Sequence, residues 1–444
     1  MPSNAYRNRI RDAVHGFIRL SDSEVRFIDF PEFQRLRRIR QLALTSFVYP
    51  GAVHTRFEHS LGVMQLVTRM FHNIQRNTEK EVWNHMVFCP LKNIDLDESR
   101  ALEVLRLAAL LHDIGHLPFS HVGEGILPKG IKHEHVSVEI AKELEHRIDA
   151  LSFKGATEMA ILLIIPDEAM APTELSFLRK ILSGAIDADR CDYLMRDSLH
   201  CGVTYGVFDI DRLVESLIII EKDGIGELGV EKGGVHAVEA LILARYYMYS
   251  QVYFHRTRRL FDKYLTDFLK QAIGTMEKDN LLTCLEWDDL RVMECIRQEA
   301  ESRASNLKDL ASRLWYRGAD YGKHKMVFES NGFLDEEAIG EIISAFQGVK
   351  SESDGRDLFL DEAPGDIHRF YIASEEKEKE EGELFWVQDS RQNNISLITD
   401  ASRVIRNMPK KFRLIRIYGM GSDMDLKALK TFLQPKGEGN QCGV

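Results

Sequence analysis

The sequence predicts a mostly α-helical protein with short β-hairpins and a smaller α+β lobe towards its C-terminal end. Three observations carry this. Apolar residues recur at helical spacing through most of residues 22–270. Two Gly-centred stretches alternate at the strand period instead. Past about residue 275 the texture turns to short strand-like runs among helical ones, which fits an α+β lobe.

The elements follow in order. Residues 8–21 alternate around His15-Gly16 and read as a hairpin. Helical spacing marks 33–39, 61–71, 102–111, 136–151 and 237–254. Residues 217–232 break this texture: a β-rich run, a Gly-bounded turn and a second short run make another hairpin. Helical stretches at 290–314 and 335–346 then lead into strand-like runs starting at His368, Leu384, Asn394 and Phe412. A short helix is expected at 423–433. The acidic run 375–383 reads as a solvated loop, and the tail from Lys436 is Gly-rich. We divide the chain into a core, 1–275, and a C-terminal lobe, 276–444.

Composition bounds the function. The chain has 444 residues, with 58 Lys+Arg against 69 Asp+Glu, a net charge of −11. That balance does not favour a dedicated nucleic-acid binder, although a local basic groove remains compatible with it. The longest apolar run, 159–165, stops at Pro166, far short of the ~20 residues of a membrane span. No apolar segment follows the basic residues at the N-terminus, so a secretory signal is not expected. The 6 cysteines form no C-x-x-C pair, which suits scattered thiols in a reducing cytoplasm.

Histidine carries the chemistry. Of 16 histidines, His112, His116, His121, His133, His135 and His146 fall in one stretch. An apolar helix ends in His112-Asp113, with Gly115 available for a left-handed cap and Pro118 forbidding continuation. A second helix starts at residues 54–62, where Thr55 and Glu58 have capping-box spacing. His59 has no such structural role. On a third helix Asp189, Tyr193 and Asp197 share one face, while Asp192 and Arg196 make an i, i+4 ion pair that we assign to structure. His59, His112, Asp113 and Asp189 therefore form a mixed nitrogen and oxygen set. It suits a divalent metal (Mn²⁺, Fe²⁺, Mg²⁺ or Zn²⁺), with no thiolate to force zinc.

A hydrolytic metal site working on an anionic substrate would also need a proton donor and fixed cations. His116, His121 and His133 are candidate donors, with Glu124 as a nearby orienting carboxylate. Arg56 lies on the first turn of the His59 helix. Arg245, Tyr249 and Tyr253 recur every fourth residue on a long helix. Arg35, Arg37, Arg38 and Arg40 form a basic face beside Asp29, able to bind a nucleotide.

Four blocks occur in order: R-F-x-H-S-L-G from Arg56, H-D-x-G-H-x-P-F-S-H from His112, H-E-H from His133, and I-D-x-D-R-x-D-Y-x-x-R-D from Ile186. Together they resemble the HD-domain phosphohydrolases, and more narrowly the deoxynucleoside triphosphate triphosphohydrolases (the dGTPase and SAM-and-HD-domain protein family). The resemblance spans about residues 9–270. It implies an HD-domain helical core that cleaves a dNTP to deoxynucleoside and triphosphate, with His59, His112, Asp113 and Asp189 as metal ligands. It places His116, His121, His133 and Glu124 at the scissile phosphate and Arg56, Arg190 and Arg245 around the triphosphate. Gln41, Leu42, Tyr193 and Asp197 would surround the sugar, with Tyr253 against its C2′ edge. Arg190 stands where a lysine is common, and Tyr249 where a histidine occurs. The resemblance further implies a dGTP activator read by Asp29, Gln34 and Arg37, and a homo-oligomer, dimer or tetramer. In the hairpin, Asn8 and Arg9 replace a Lys-Val pair of the family. A metal nuclease acting on single-stranded nucleic acid is the rival reading.

Overall fold

The N-terminal alternation folds as a hairpin, β1 (Asn8–Asp12) antiparallel to β2 (Gly16–Leu20), turning through Gly16 at φ +72°. This is a computed structural model. It describes residues 6–420 apart from 88–89, 92–93, 166–174, 223–224, 318–323, 331, 335, 353–356, 372–381 and 393. The helix expected at 423–433, the Gly-rich tail and most of the acidic run lie outside the described residues.

After the hairpin, Ser21 and Glu24 close a capping box on α1 (Asp22–Ile28). The stretch 33–39 is not one amphipathic helix. Pro31 starts a single α-turn, α2 (Pro31–Gln34), and Arg35–Arg38 tighten into a 3₁₀ turn. The basic face predicted there is accordingly split. Arg35 is buried, and Arg38 is paired with Asp288 at 2.5 Å.

The longest helix of the described core is α3 (Arg56–Asn77), whose Glu58 carboxylate accepts from the Thr55 N–H at 3.0 Å. Val63, Met64, Leu66, Val67, Met70, Phe71 and Ile74 along it are fully buried. At roughly 1.5–3 kcal/mol per fully buried large apolar side chain, this stripe holds α3 fixed at the centre. Around or beyond it run α4 (Lys80–Val87), the short ladder β3 (Pro90–Leu91) and β4 (Ile94–Asp95), α5 (Glu98–Leu111), α6 (His133–Asp149), α7 (Ala156–Ile164), α8 (Ser176–Leu182), α9 (Ala188–Cys201) and α10 (Ile210–Ser216). Helices α5, α8, α9 and α10 pack directly on α3. Gly202 ends α9 in the left-handed conformation. Gly115 does not adopt it. Its lack of a side chain serves close approach instead, since a Cβ there would lie 2.3 Å from Ser137 N and 2.5 Å from His133 O at the start of α6.

The second hairpin is β5 (Leu217–Lys222) with β6 (Ile225–Glu231). Then α11 (Val235–Met248) runs into a π-turn at Tyr249–Tyr253, and α12 (Arg256–Ala272) follows. The stretch 290–314 is two helices, α13 (Asp289–Glu301) and α14 (Lys308–Tyr316). Beyond them come β7 (Lys325–Glu329), α15 (Glu336–Glu352), β8 (Leu358–Asp366), β9 (Trp386–Asp389), β10 (Asn394–Leu397), α16 (Ile398–Ala401), α17 (Arg403–Asn407) and β11 (Lys411–Gly419). The run at His368 makes only an isolated bridge, Phe370 to Glu383. β7, β11 and β8 form one sheet. β9 pairs in parallel with β6, so the core hairpin extends into a four-stranded sheet, β10-β9-β6-β5. A single buried apolar cluster includes Ile18, Met64, Val292, Phe370 and Tyr418. The mostly α fold with a small α+β lobe is as the sequence predicts.

Candidate active site

Three helices bring the predicted metal ligands together. His59 lies one turn into α3, His112 and Asp113 follow the last turn of α5, and Asp189 opens α9. His59 Nε2 stands 3.0 Å from Asp189 Oδ1 and 3.5 Å from Asp113 Oδ2. His112 Nε2 is 3.5 Å from Asp113 Oδ2 and 3.9 Å from Asp189 Oδ1. The ring tautomers follow from their other contacts. His112 Nδ1 donates to Ala109 O at 2.8 Å, and His59 Nδ1 donates to Asp192 Oδ2 at 2.8 Å, because a carboxylate only accepts. Each ring thus turns an Nε2 lone pair inward. Both Nε2 atoms are buried and lack a hydrogen-bond partner.

Those orphaned lone pairs, aimed between two carboxylates, fit a divalent cation. The electrostatics agree. Burial opposes a charge on His59, but the carboxylates of Asp189 and Asp192 prevail and lift it to about 10, so a bound cation would take the place of the proton on Nε2 and meet its lone pair. Burial also opposes the Asp113 carboxylate, yet Arg56, His112 and His116 hold it well below the usual range. The carboxylates that hold a proton on His59 are the groups that would hold a cation in its place.

Next to Asp113 lies the second histidine group. His116 and His133 stack with ring centroids 3.8 Å apart. Their Nε2 atoms approach Asp113 Oδ1 to 3.3 and 3.5 Å. Glu124 Oε1 accepts from His133 Nδ1 at 2.7 Å and from the exposed His121 Nδ1 at 2.8 Å. Burial favours neutral His133, but Glu124 overcomes it and raises the ring. His116 moves the other way. Burial and the charge of Arg56 hold it well below its ordinary value.

The loop carrying these rings is strained and pinned. Phe119 and Ser120 are consecutive left-handed residues, φ 60° and 57°. Asp289 of α13 accepts from the Phe119 N–H at 2.7 Å and the Arg40 N–H at 3.0 Å. Arg35 donates to His116 O at 2.7 Å and Trp287 O at 2.8 Å. Arg56 Nε donates to Ser120 Oγ at 2.9 Å, and its Nη1 to Asp113 Oδ2 at 2.6 Å.

The remaining predicted residues line the flank on α9, α11 and the π-turn. Tyr253 OH donates to Asp197 Oδ2 at 2.7 Å, and His54 Nε2 meets Asp197 Oδ1 at 2.7 Å. Arg245 donates to the Tyr193 and Tyr249 hydroxyls and, through Nε, to Asp366 O at 2.7 Å. Gln41 and Leu42 are buried, and Gln41 Oε1 is without a partner. Arg190 is turned back onto its own helix start, donating to Gly184 O and Ala185 O. Further out, Gln34 Oε1 accepts from Arg37 Nε at 2.8 Å, and the Arg37 guanidinium lies over the Phe57 ring at 3.5 Å. Asp29 is exposed at the end of α1.

Sequence reasoning missed Asp192 as the partner of His59, because its pairing with Arg196 already explained it. It also missed His54, Asp289 and Asp366, which have no motif of their own. Asp192 could have been found from its place three residues after Asp189, one turn along the same helix.

Comparison with known proteins gives two family matches: an HD domain over residues 56–197 and an HD associated region over 208–353. An uncharacterised protein of Methanocaldococcus jannaschii is 35% identical over 83% of this chain and 72% of its own length. The Homo sapiens deoxynucleoside triphosphate triphosphohydrolase SAMHD1 is 31% identical over 59% of this chain, which spans only 44% of that protein. A solved phosphohydrolase from Bacteroides thetaiotaomicron superposes with a TM-score of 0.68 at 25% identity, covering 94% of this chain and all of that one. Among the described residues, no helix is long and apolar enough to cross a membrane.

Proposed function

The chain belongs to the HD-domain phosphohydrolases, and from that premise we propose that it is a metal-dependent dNTP triphosphohydrolase: dNTP + H₂O → deoxynucleoside + triphosphate. The observation that carries this is the pair of orphaned, inward-facing lone pairs of His59 and His112 between Asp113 and Asp189. The His133–Glu124 pair stands on the other edge of Asp113. The triphosphohydrolases among its relatives support the choice of substrate.

His59, His112, Asp113 and Asp189 would hold the metal, which when bound supplies a Lewis acid and a water of lowered pKa. The protein does the rest. Water oxygen bonds to the α-phosphorus and the Pα–O5′ bond breaks. His133, oriented by Glu124, delivers the proton to O5′, and the α-phosphate leaves within the triphosphate. Arg56, Arg190 and Arg245 would neutralise the phosphates after exchanging their present partners. The Tyr253 ring, fixed by Asp197, would crowd a 2′-hydroxyl. We place a dGTP activator at Asp29, Gln34 and Arg37, where a guanidinium already lies on an aromatic face, and the active form as a dimer or tetramer.

The test is product analysis. Each dNTP, with and without dGTP, is incubated with Mn²⁺ or Mg²⁺, with ATP and single-stranded DNA as controls. Deoxynucleoside with intact triphosphate is the expected product. Cut DNA and untouched dNTPs would replace this reading with the nuclease.

A further inference from the structure

The N-terminal hairpin and the metal ligand His59 share one carboxylate. Asp192 Oδ1 accepts from His15 Nε2 at 2.6 Å, and Oδ2 accepts from His59 Nδ1 at 2.8 Å. Arg196 spans both oxygens, at 3.0 and 2.8 Å. Its outer edge reaches the two oxygens of Asp12 on β1, at 2.8 and 3.2 Å. Asp12 closes the circuit by accepting the N–H groups of Val14 and His15, at 2.9 and 2.8 Å, which fixes the turn bearing His15. The side chains of His15, His59, Asp192 and Arg196 are at most 3% exposed.

The space for this network is specific. A Cβ on Gly62 of α3 would stand 1.9 Å from Asp192 Oδ1 and 2.4 Å from Arg196 Nη2. Real Cβ contacts essentially never approach so closely, so the absence of a side chain at 62 is what lets the ion pair lie against α3. Asp192 and Arg196 are on α9, Asp192 three residues beyond Asp189 and both far from β1 in sequence. The Asp192 carboxylate plane is set by donors on both sides. Remove the His15 donor and Oδ1 keeps only the Arg196 guanidinium, so the carboxylate can shift towards that one side, and the His59 ring, held at Nδ1 only by that carboxylate, shifts with it.

We propose that His15 is a positioning residue for the metal centre, acting through Asp192 on His59, so that the seating of the β1–β2 hairpin sets metal affinity. The inference rests on the metal reading given above. It ties an element at the start of the chain to a ligand on α3 through side chains alone, and it gives the hairpin a way to control the site without touching substrate.

The test measures Mn²⁺ binding to the chelator-stripped full chain, by electron paramagnetic resonance of free Mn²⁺, with no nucleotide present. His15→Ala is expected to weaken Mn²⁺ about tenfold, the low end for groups that orient a ligand. His15→Gln, whose amide can donate to the same oxygen, is expected to restore affinity to within about twofold, since the bond rather than the ring is needed. Phe17→Ser, on the exposed side of the same hairpin beneath Arg9 and Arg11, is expected to bind as the parent does. Melting of the metal-free proteins reports folding. If alanine unfolds the chain, His15→Asn, whose shorter amide falls short of Asp192, takes its place with the same expectation. Parent-like affinity in His15→Ala, equal loss in His15→Gln, or equal loss in Phe17→Ser each overturns the inference while leaving the metal centre intact. Failure of the parent protein to bind Mn²⁺ overturns the metal reading itself.

Discussion

His133 is where the chemistry of a single residue can be isolated. Sequence reasoning left three histidines as proton donors, and their surroundings now differ sharply. His121 is exposed, and His116 is held neutral by burial and by Arg56. His133 has an acidic partner on Nδ1 that raises it, while its Nε2 faces the site. A general acid must be protonated when O5′ leaves, so activity should fall as pH climbs past its pKa. His133→Asn should lower kcat by about 10²–10⁴-fold and change KM little, because binding does not need the proton. The alkaline limb of the pH profile should vanish with it. An unaltered limb would move the role to another group. The residues proposed as metal ligands were legible at this scale as candidates, because short motifs name them. The roles of the three histidines were not, since burial and stacking set them, and neither is written in a spacing.

At the scale of elements, the sequence showed where helices begin and hairpins turn, as the capping box at Thr55–Glu58 and the turn at His15–Gly16 demonstrate. It did not show how one element restrains another. The clearest case is α13, which looked like an ordinary helix of the second region. Its first residue, Asp289, holds the strained Phe119–Ser120 backbone from 170 residues away. Burial pushes the Asp289 carboxyl up to about 7 from an ordinary 3.8, although two backbone N–H groups pull it down. A folded pKa above the unfolded one means that the folded state binds more protons between the two values. Stability from this group is therefore lost as pH rises from about 4 through 7, and the loss is complete above that. Asp289→Asn removes the titration. Relative to the parent, its melting temperature should improve steadily between about pH 4.5 and 7.5, even if the variant is less stable overall. Parallel curves across that range would show that Asp289 stays ionised when folded.

Over the whole molecule, the sequence suggested a catalytic core with a separate lobe beside it. The packing links the two. β9 extends the core hairpin, and the corner of β8 closes on the flank of the site. There Asp366 O takes the Arg245 Nε–H, and Gly365 lies so close that a Cβ would sit 2.8 Å from Tyr249 Cδ1 and 3.0 Å from Phe254 Cζ. No helical or strand period could announce this, because the contact joins positions more than 100 residues apart, 245 with 366. The arrangement separates two functions that a core-only picture would merge. The proposed metal ligands stand on or next to α3, α5 and α9, whereas the placement of Arg245 and Tyr249 depends also on the lobe. Gly365→Val should displace Tyr249 and loosen Arg245 without disturbing His59 or His112. Its KM for dNTP should rise on the order of tenfold or more, as a small misplacement of a positioning group can cost up to about 10²-fold. Its Mn²⁺ affinity should match that of the parent. A valine that weakened both equally would mean that the lobe supports the core as a whole, whereas one that changed neither would show that Arg245 and Tyr249 hold their places without it.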